Sequence, residues 1–357
     1  MQSISTKNSV VYFNGNLYTQ VNSYINSIKP SIIFILVDTN THEYCLPYFL
    51  QQLESGEIVV EVMEMPEGEE HKTIDICMGV WEALSEYGAD RNSLLINLGG
   101  GVVTDLGGFV ASTYMRGIDY INIPTSLLAM VDASIGGKTG VDLGGLKNQV
   151  GVINEGKMVG IDTSFLDTLP QNHMISGFAE MLKHGLIFDE NYWDTLTHLE
   201  ALDISHLDKL IYDSVVIKNS VVTEDPTEKG LRKILNFGHT LGHAIESYFL
   251  EHADRQPLLH GEAIAAGMIL ESYLSVKVCG LNEQTLKKIT EGISKTFSKV
   301  EISKEDQKVI IELLKHDKKN SHGKIYFVLL EAIAQPKINC TANNELIVEA
   351  FNYYSNF

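Results

Sequence analysis

The chain has 357 residues, enough for two domains with buried cores. It is 44% hydrophobic and 20% charged, as in an ordinary globular protein, and its formal net charge of −19 argues against nucleic acid or an anionic membrane surface as a partner. No apolar run reaches the ~20 residues of a membrane helix, no signal-peptide pattern opens the sequence, and the four cysteines form no CxxC pair. These features predict a cytoplasmic protein with reduced thiols.

Alternating strands and helices are predicted for the first half of the chain. Ser31–Asp38 has the sequence SIIFILVD, a continuous apolar run typical of a parallel strand buried on both faces. Asp38 at the end of this strand either faces the ribose of a nucleotide or begins a loop. The other predicted elements are strands at Val10–Phe13, Ile58–Met63, Ser93–Leu98, Tyr120–Ile123 and Val159–Asp162, and helices at Leu17–Ile28 and Ile74–Tyr87.

A glycine turn, Gly99-Gly100-Gly101, comes directly after the strand Ser93–Leu98 and before the helical sequence VVTDLGGF. This order of strand, turn and helix lets backbone N–H groups approach a pyrophosphate. Taken alone the turn is weak evidence, because Thr104 stands where a GxGxxG pattern has its third glycine. Its position at the carboxyl end of a buried strand favours a nucleotide site.

A second glycine-rich segment, residues 131–151, has the sequence VDASIGGKTGVDLGGLKNQVG. We predict a long loop here, in which small residues admit a ligand and Lys138, Lys147 and Asn148 bind phosphate or carboxylate. The alternative is a plain surface loop. Apolar residues interleaved with the glycines favour a segment that packs.

Helical periodicity dominates from Pro170 onward, so we place a domain boundary near residue 170. The predicted fold is an α/β nucleotide-binding domain, residues 1–170, followed by a mainly α-helical domain, residues 171–357. The predicted helices cover residues 174–187, 190–200, 206–223, 232–250, 261–279, 283–297, 303–315 and 344–354, with a hairpin-like element at Lys324–Leu330.

Three histidines lie in apolar surroundings in the second half. His239 and His243 are four apart in a predicted helix and share one face, and His260 stands near the start of the next helix. One such histidine is usually a core residue, but three together favour a metal such as zinc. The sequence is not HExxH, so a metalloprotease lacks its general base.

Other polar groups accompany these histidines. Glu180 and Lys183 are three residues apart in an apolar predicted helix. Either they form an ion pair at the surface, or Glu180 is the carboxylate ligand of a Glu/His/His metal site. Arg232 and Asn236, four apart, are predicted to share the helix face that continues to the histidines.

Taken together, the chain resembles the 3-dehydroquinate synthases, sugar-phosphate cyclases of the shikimate pathway. The resemblance extends from about Asp38 to about Lys319. It rests on seven ordered motifs: GEEHK, GGGVVTDLGGFVASTYMRG, PTSLLAMVDASIGGKTGVDLGGLKN, AEMLKHG, LRKILNFGHTLGHAIE, LHGEAIAAGM and HDKK.

The resemblance implies a dehydroquinate synthase-like fold with an active site in the cleft between its two domains. It implies that Glu180, His239 and His260 bind Zn2+, or Co2+ in its place, and that His243 and Lys183 act in catalysis beside Glu180. The implied substrate-binding residues are Arg116, Asp132, Lys138, Asn148, Lys218, Arg232, Asn236 and Lys319. The implied NAD-binding residues are Asp38, Glu69, Lys72, Gly100, Gly101, Val102, Val103, Thr104, Asp105, Thr125, Ser126, Lys138, Lys147, Phe165 and Thr168. Arg116 resembles an arginine that reaches a neighbouring subunit, which implies a homodimer.

The implied reaction converts 3-deoxy-D-arabino-heptulosonate 7-phosphate to 3-dehydroquinate and phosphate. It proceeds by transient oxidation with NAD, phosphate elimination, re-reduction and intramolecular aldol closure. The alternatives are another sugar-phosphate cyclase, such as a 2-deoxy-scyllo-inosose or valiolone synthase, an iron-dependent or glycerol-type alcohol dehydrogenase, or a non-catalytic metal-binding protein. Lys218, Arg232 and Asn236 together suit a substrate with a carboxylate and favour dehydroquinate synthase.

Overall fold

The computed structural model describes residues 1–144, 146–199, 204–252, 255–314 and 325–357. They form two compact units, Met1–Pro170 with Asp203–Thr223, and Gln171–Leu202 with Glu224–Phe357. The domain bounds predicted from the sequence, 1–170 and 171–357, stay a prediction. The first unit consists of a segment that ends at Pro170 and a later segment, 203–223. There the Tyr212 ring packs against Phe13, a long-range contact that sequence order alone does not reveal.

The first unit is built on a seven-stranded sheet. Its strands are β1 (Ile4–Ser5), β2 (Val10–Phe13), β3 (Ile32–Asp38), β4 (Val59–Met65), β5 (Leu94–Gly99), β6 (Asp119–Pro124) and β9 (Met158–Ile161). Their order is β1-β2-β9-β6-β5-β3-β4, with β1 antiparallel to β2 and the others parallel. The apolar side chains of Ile33–Val37 are fully buried, which explains the continuous apolar run.

The helices of this unit are α1 (Leu17–Ile28), α2 (Thr39–Tyr44), α3 (Leu46–Gln52), α4 (Ile74–Glu86), α5 (Gly101–Thr113) and α8 (Ile204–Glu224). From β3 the chain goes to the edge strand β4 and then returns past β3 to β5. The topological switch point of the sheet therefore lies between β3 and β5. Ligands of open α/β sheets bind outside the carboxyl ends of the strands at such a point.

The glycine-rich segment 131–151 was predicted as a long loop, and that prediction is wrong. Residues Lys138–Leu143 (β7) and Leu146–Ile153 (β8) form an antiparallel hairpin in which Gly140 pairs with Gly151. A Cβ on Gly140 would lie 2.5 Å from the Val150 carbonyl oxygen. These two glycines are therefore required by the close approach of the strands, while the buried Val141 joins the core of the unit.

The second unit is mainly helical. Its helices are α6 (Gln171–Phe188), α7 (Glu190–Thr197), α9 (His239–Glu251), α10 (His260–Cys279), α11 (Glu283–Ser294), α12 (Lys304–Leu313) and α13 (Asn344–Asn356). A hairpin of β10 (Phe327–Ala332) and β11 (Gln335–Cys340) completes it, later in the chain than the predicted element, whose first residue lies outside the described part. Helix α10 is the central element and contacts α6, α9, α11, α13 and β10. No described helix is both long and apolar enough to span a bilayer.

The helix predicted over residues 232–250 is interrupted. Leu231–Asn236 forms a 3-10 helix, and α9 begins only at His239, after Gly238 with φ of 77°. A Cβ on Gly238 would lie 2.5 Å from Met268 Cγ, so close packing on α10 as well as the left-handed backbone requires glycine. Arg232 and Asn236 therefore do not belong to the helix face that carries His239 and His243.

Candidate functional site: a buried Glu–His cluster and a helix-capped switch point

Helices α6, α9 and α10 bring Glu180, His239 and His260 together. The two histidines are the first residues of their helices, and Glu180 lies in the middle of α6. Glu180 Oε1 is 3.3 Å from His239 Nε2 and 3.5 Å from His260 Nε2. One carboxylate oxygen and two imidazole nitrogens thus face a common point, a donor set that suits Zn2+.

The other ring nitrogens of these histidines are already engaged. His239 Nδ1 lies 3.0 Å from the Phe237 carbonyl oxygen, and His260 Nδ1 lies 3.2 Å from Glu246 Oε2. An Nδ1–H donated to either oxygen leaves the Nε2 lone pair directed at the cluster. Metal-binding histidines are commonly oriented in this way, so the residues present fit a divalent ion.

The electrostatics of the cluster also suit a cation. Burial raises the pKa of Glu180, but Lys183, His239 and His260 outweigh it and hold that pKa well below its ordinary range. Burial and the Lys183 ammonium lower the pKa of His239 to about 4, which keeps its imidazole neutral at pH 7. Burial lowers the pKa of His260 too, but Glu246 and Glu180 outweigh it and raise that pKa to about 10, so an ion that binds its Nε2 would displace a proton.

Glu180 and Lys183 form a buried ion pair, with relative side-chain exposures of 0% and 1%. The surface ion pair considered from sequence is therefore wrong. Two unpaired charges in this interior would be very costly, and their pairing offsets part of that cost. The lysine is thereby held at the carboxylate that faces the two histidines.

His243 lies one turn after His239 on α9. Its ring centroid is 5.1 Å from that of His239 and 5.8 Å from that of His260. The three histidines can place one nitrogen each within 4.8 Å of one another, so they form an alternative ligand triad. Geometry thus supports two ligand sets that share His239 and His260 and differ in Glu180 or His243.

The start of α5 lies at the switch point of the sheet. Gly100 is the N-cap of this helix and offers no side chain to its first N–H groups, which include those of Val102 and Val103. A Cβ on Gly100 would lie 3.4 Å from Ser126 Oγ. The absence of a side chain at Gly100 therefore leaves space for a ligand beside the backbone of the turn. These features fit a pyrophosphate at a helix N-terminus.

Thr104, which departs from the glycine pattern, does not obstruct this approach. Its buried hydroxyl donates to the carbonyl oxygens of Gly100 and Gly101, each at 3.2 Å. The side chain therefore folds back onto the helix. The threonine costs the turn little because its polar atom is satisfied within the first turn.

Lys72, Asp105 and Asn148 form a hydrogen-bonded cluster beside α5. Lys72 Nζ is 2.6 Å from Asp105 Oδ2 and donates to Asn148 Oδ1 at 2.8 Å. Burial lowers the pKa of Lys72, but Asp105 and Glu69 outweigh it and raise that pKa, which keeps the ammonium charged. Asn148, assigned to the substrate from the resemblance, thus lies against residues assigned to NAD.

Several of the remaining residues assigned to NAD follow the carboxyl ends of strands in the main sheet, whereas Lys147 lies near the start of β8. Asp38 ends β3, which borders the switch point, and its carboxylate caps α2 by accepting the Thr41 N–H at 2.7 Å. Thr125 follows β6 and donates its N–H to Gly99 O at 3.0 Å. Further positions are Ser126, whose Oγ accepts the Ala129 N–H, Lys147, which is 3.2 Å from Glu69, and Phe165 and Thr168 in the 3-10 helix Thr163–Thr168.

The residues assigned to the substrate are held by local partners. In the first unit Lys218 Nζ contacts Asp132 through Oδ1 at 2.7 Å and through its carbonyl oxygen at 2.5 Å. Lys138 is exposed at the start of β7, and Arg116 lies in an exposed turn with φ of 69°. In the second unit Arg232 donates to Pro226 O and Asn236 donates to Glu228. Lys319 lies outside the described residues.

Sequence reasoning did not single out Glu246, whose carboxylate contacts His260. A signal was present, because Glu246 follows His239 by seven residues and His243 by three, a spacing that places all three on one helix face. Asp142, whose carboxylate accepts the N–H of Asn148 at 2.6 Å, had no comparable signal.

Solved structures share this fold. A crystal structure of 2-deoxy-scyllo-inosose synthase with carbaglucose-6-phosphate, NAD+ and Co2+ matches with a TM-score of 0.84 and 26% identity, covering 99% of each chain. The 2-epi-5-epi-valiolone synthase of Streptomyces hygroscopicus, with NAD+ and Zn2+ bound, matches with a TM-score of 0.83 and 24% identity over 99% of this chain and 98% of that one. An iron-containing alcohol dehydrogenase is less similar, with a TM-score of 0.69 and 14% identity, covering 99% of each chain. The predicted fold class, a dehydroquinate synthase-like pairing of an α/β and a helical domain, is confirmed.

Sequence comparison narrows this class to one family. Residues 62–176 match the family model of the 3-dehydroquinate synthase N-terminal domain, and residues 177–320 match that of the C-terminal domain. The 3-dehydroquinate synthase of Parabacteroides distasonis is 43% identical over 341 residues, covering 95% of this chain and 96% of its own. That of Alkaliphilus oremlandii is 38% identical, covering 89% and 87%. The chain belongs to the 3-dehydroquinate synthase family, as its motifs predicted.

Proposed function

We propose that the chain converts 3-deoxy-D-arabino-heptulosonate 7-phosphate to 3-dehydroquinate and phosphate, as an NAD- and divalent-metal-dependent carbon–oxygen lyase. The observation that carries the proposal is the convergence of Glu180, His239 and His260 on one point, with both histidine Nδ1 atoms engaged elsewhere. The 43% identity to a 3-dehydroquinate synthase over nearly the whole chain supports the same reaction.

Glu180, His239 and His260 are the residues proposed to hold the ion, which we take to be Zn2+, with Co2+ as a functional substitute. When bound, the ion polarises the substrate hydroxyls and lowers their pKa for oxidation. The chain contributes a neutral His239 and a Glu180 that is held ionised. Glu246 fixes the orientation of the His260 ring by its contact with Nδ1.

The start of α5 and the Lys72 cluster are the elements proposed to hold NAD. When bound, NAD supplies a hydride acceptor that is regenerated within each turnover. The uncapped first turn of α5 provides N–H donors for the pyrophosphate, and Lys72 provides a charge already fixed by Asp105. A preformed site of this kind costs little reorganisation on binding.

The substrate carries a phosphate and a carboxylate, and it needs fixed positive charge in a protein of net charge −19. Arg232 is 2% exposed, and its backbone N–H and guanidinium are anchored to Asp225 and Pro226. Lys218 is similarly anchored to Asp132. We assign the anionic groups of the substrate to these two cations together with Lys138, Lys183 and Lys319, and its hydroxyls to Asn148 and Asn236.

His243 is assigned to moving the proton of the substrate hydroxyl. It lies on α9 within one turn of His239, at the cluster but outside the proposed ligand set. An imidazole suits this role because its ordinary pKa lies near neutrality. Arg116, in an exposed turn, is assigned to the active site of a neighbouring subunit in a homodimer.

The test is phosphate release from the heptulosonate phosphate with NAD present in catalytic amount, with and without a chelator. We expect many turnovers per NAD, no net NADH, and loss of activity in the chelator that Zn2+ or Co2+ restores. Stoichiometric NADH would indicate an alcohol dehydrogenase instead. Absence of turnover with this substrate, but turnover of another sugar phosphate under the same conditions, would indicate a different cyclase.

A further inference from the structure

A second buried carboxylate supports the start of α9. Glu271 lies on α10, fully buried, and both of its oxygens accept backbone N–H groups. Oε2 accepts the N–H of Gly238 at 2.7 Å, and Oε1 accepts that of Leu241 at 3.0 Å. Burying a carboxylate is costly, and these two bonds at the positive end of a helix offset that cost.

These bonds replace a cap that α9 cannot supply itself. Its N-cap residue, Gly238, has no side chain, and no side-chain cap is made from that position. A capping side chain ordinarily accepts the N–H of the third helical residue, which here is Leu241. Glu271 makes that bond from a different helix and also takes the N–H of the N-cap residue, so it completes both bonds of a capping box.

The capped residues lie on either side of His239, Gly238 one position before it and Leu241 two positions after. Close packing leaves this segment little freedom, because a Cβ on Gly267 of α10 would lie 2.0 Å from the Gly238 carbonyl oxygen. Glu271 and His260 are eleven residues apart, about three turns, so they lie on one face of α10. A single helix therefore carries His260 and also the carboxylate that fixes where His239 begins.

We propose that Glu271 is a positioning residue for the metal site, which aims His239 Nε2 by fixing the first turn of α9. This inference rests on the proposed function, because it presumes that His239 binds the ion. Glu271 is not one of the proposed ligands. It acts through the backbone of Gly238 and Leu241, in addition to any contribution to stability.

The test compares Glu271→Gln with Ser272→Ala in the whole chain of 357 residues. Ser272 is the next residue on α10, is equally buried, and donates to Met268 O within its own helix, so its loss controls for a general effect on α10. The readouts are the dissociation constant for Co2+, measured by chelator competition, and the visible absorption spectrum of the bound Co2+. Thermal unfolding in chelator reports stability separately.

We expect Glu271→Gln to weaken Co2+ binding by about 10- to 100-fold and to shift the Co2+ absorption bands. Ser272→Ala should leave both within error of the unsubstituted protein. If Glu271→Gln cannot be purified folded, Glu271→Asp decides, because its side chain is one methylene shorter and cannot keep both N–H groups at their present distances, and weaker Co2+ binding is expected.

The positioning role would be overturned if the folded glutamine variant showed an unchanged Co2+ affinity and an unchanged spectrum. If only the aspartate variant folds, the same result in that variant would overturn it. His239→Ala separates this failure from a failure of the proposed function. If it abolishes Co2+ binding while the Glu271 variant binds normally, only the positioning role is wrong. If the unsubstituted protein binds no Co2+, the metal site is wrong, and this inference with it.

Discussion

The ligand set of the cluster can be decided by comparing His239→Ala with His243→Ala. The geometry allows Glu180 with His239 and His260, or the three histidines, and the two sets differ in the role of His243. In the proposed set His239 binds the ion, whereas His243 moves a proton. Metal content and reaction rate should therefore separate in the two variants.

The expected magnitude follows from the number of ligands. A structural zinc site with four ligands contributes about 10–16 kcal/mol, or roughly 2.5–4 kcal/mol for each ligand. At 1.4 kcal/mol per tenfold change, His239→Ala should weaken metal binding by roughly 10²- to 10³-fold. His243→Ala should weaken it by less than about tenfold and lower kcat by about 10²- to 10⁴-fold, the usual contribution of a positioned acid or base.

The assay is metal content by mass spectrometry after dialysis, the Zn2+ dissociation constant by chelator competition, and kcat from phosphate release. His198→Ala, which removes an exposed histidine of the same unit, is the matched control and should change none of these quantities. Equal metal loss in the two variants would refute the assignment. Metal retained by Glu180→Gln but lost from His243→Ala would establish the histidine triad instead.

Three further predictions test other parts of the structure. Glu246→Gln should weaken metal binding by about 10- to 100-fold, because His260 loses the carboxylate at its Nδ1, and unchanged affinity in the competition assay would contradict this role. Lys72→Met should raise the NAD dissociation constant by at least about tenfold, measured by calorimetry, and normal NAD affinity would exclude Lys72 from the site. Asp306→Asn should lower stability at pH 7, because Arg255 binds that carboxylate through two hydrogen bonds. Burial raises the pKa of Asp306, but the hydrogen bonds to its carboxylate outweigh burial, and the pKa lies below its ordinary value of 3.8. The stabilisation is therefore present above pH 3.8 and is lost as the pH falls through the lowered pKa. Denaturation curves of the two proteins should converge in acid, and a gap that persists would refute the effect.

Elements with strong local signals were predicted well from the sequence. The apolar run that became β3 and the glycine turn that begins α5 lie where their patterns placed them, since full burial and a tight turn leave a direct mark on composition. The segment 131–151 was misjudged for a related reason. Glycine allows either a ligand or another part of the chain to approach the backbone closely. At Gly140 and Gly151 the close neighbour is the paired strand of the hairpin.

The helix predicted through residue 238 was misjudged because continuous periodicity concealed a break. Gly238 takes a left-handed conformation and α10 packs closely against it, a contact that the neighbouring residues in the sequence do not indicate. The pairing of Glu246 with His260 and of Glu271 with the start of α9 is likewise invisible along the chain. Each pair joins residues of different helices that only packing brings together.

The sequence by itself determined the alternating first half, the helical second half and the family, and it supplied the proposed set of residues for metal, nucleotide and substrate. Periodicity, turn composition and motif order are local properties, so one chain is enough to show them. Only the tertiary structure decided that Glu180 and Lys183 are buried as a pair, that two histidines begin their helices facing one carboxylate, and that segment 203–223 packs with the first unit. These facts depend on contacts between elements far apart in the chain, which burial and hydrogen bonding select during folding and which no local pattern encodes.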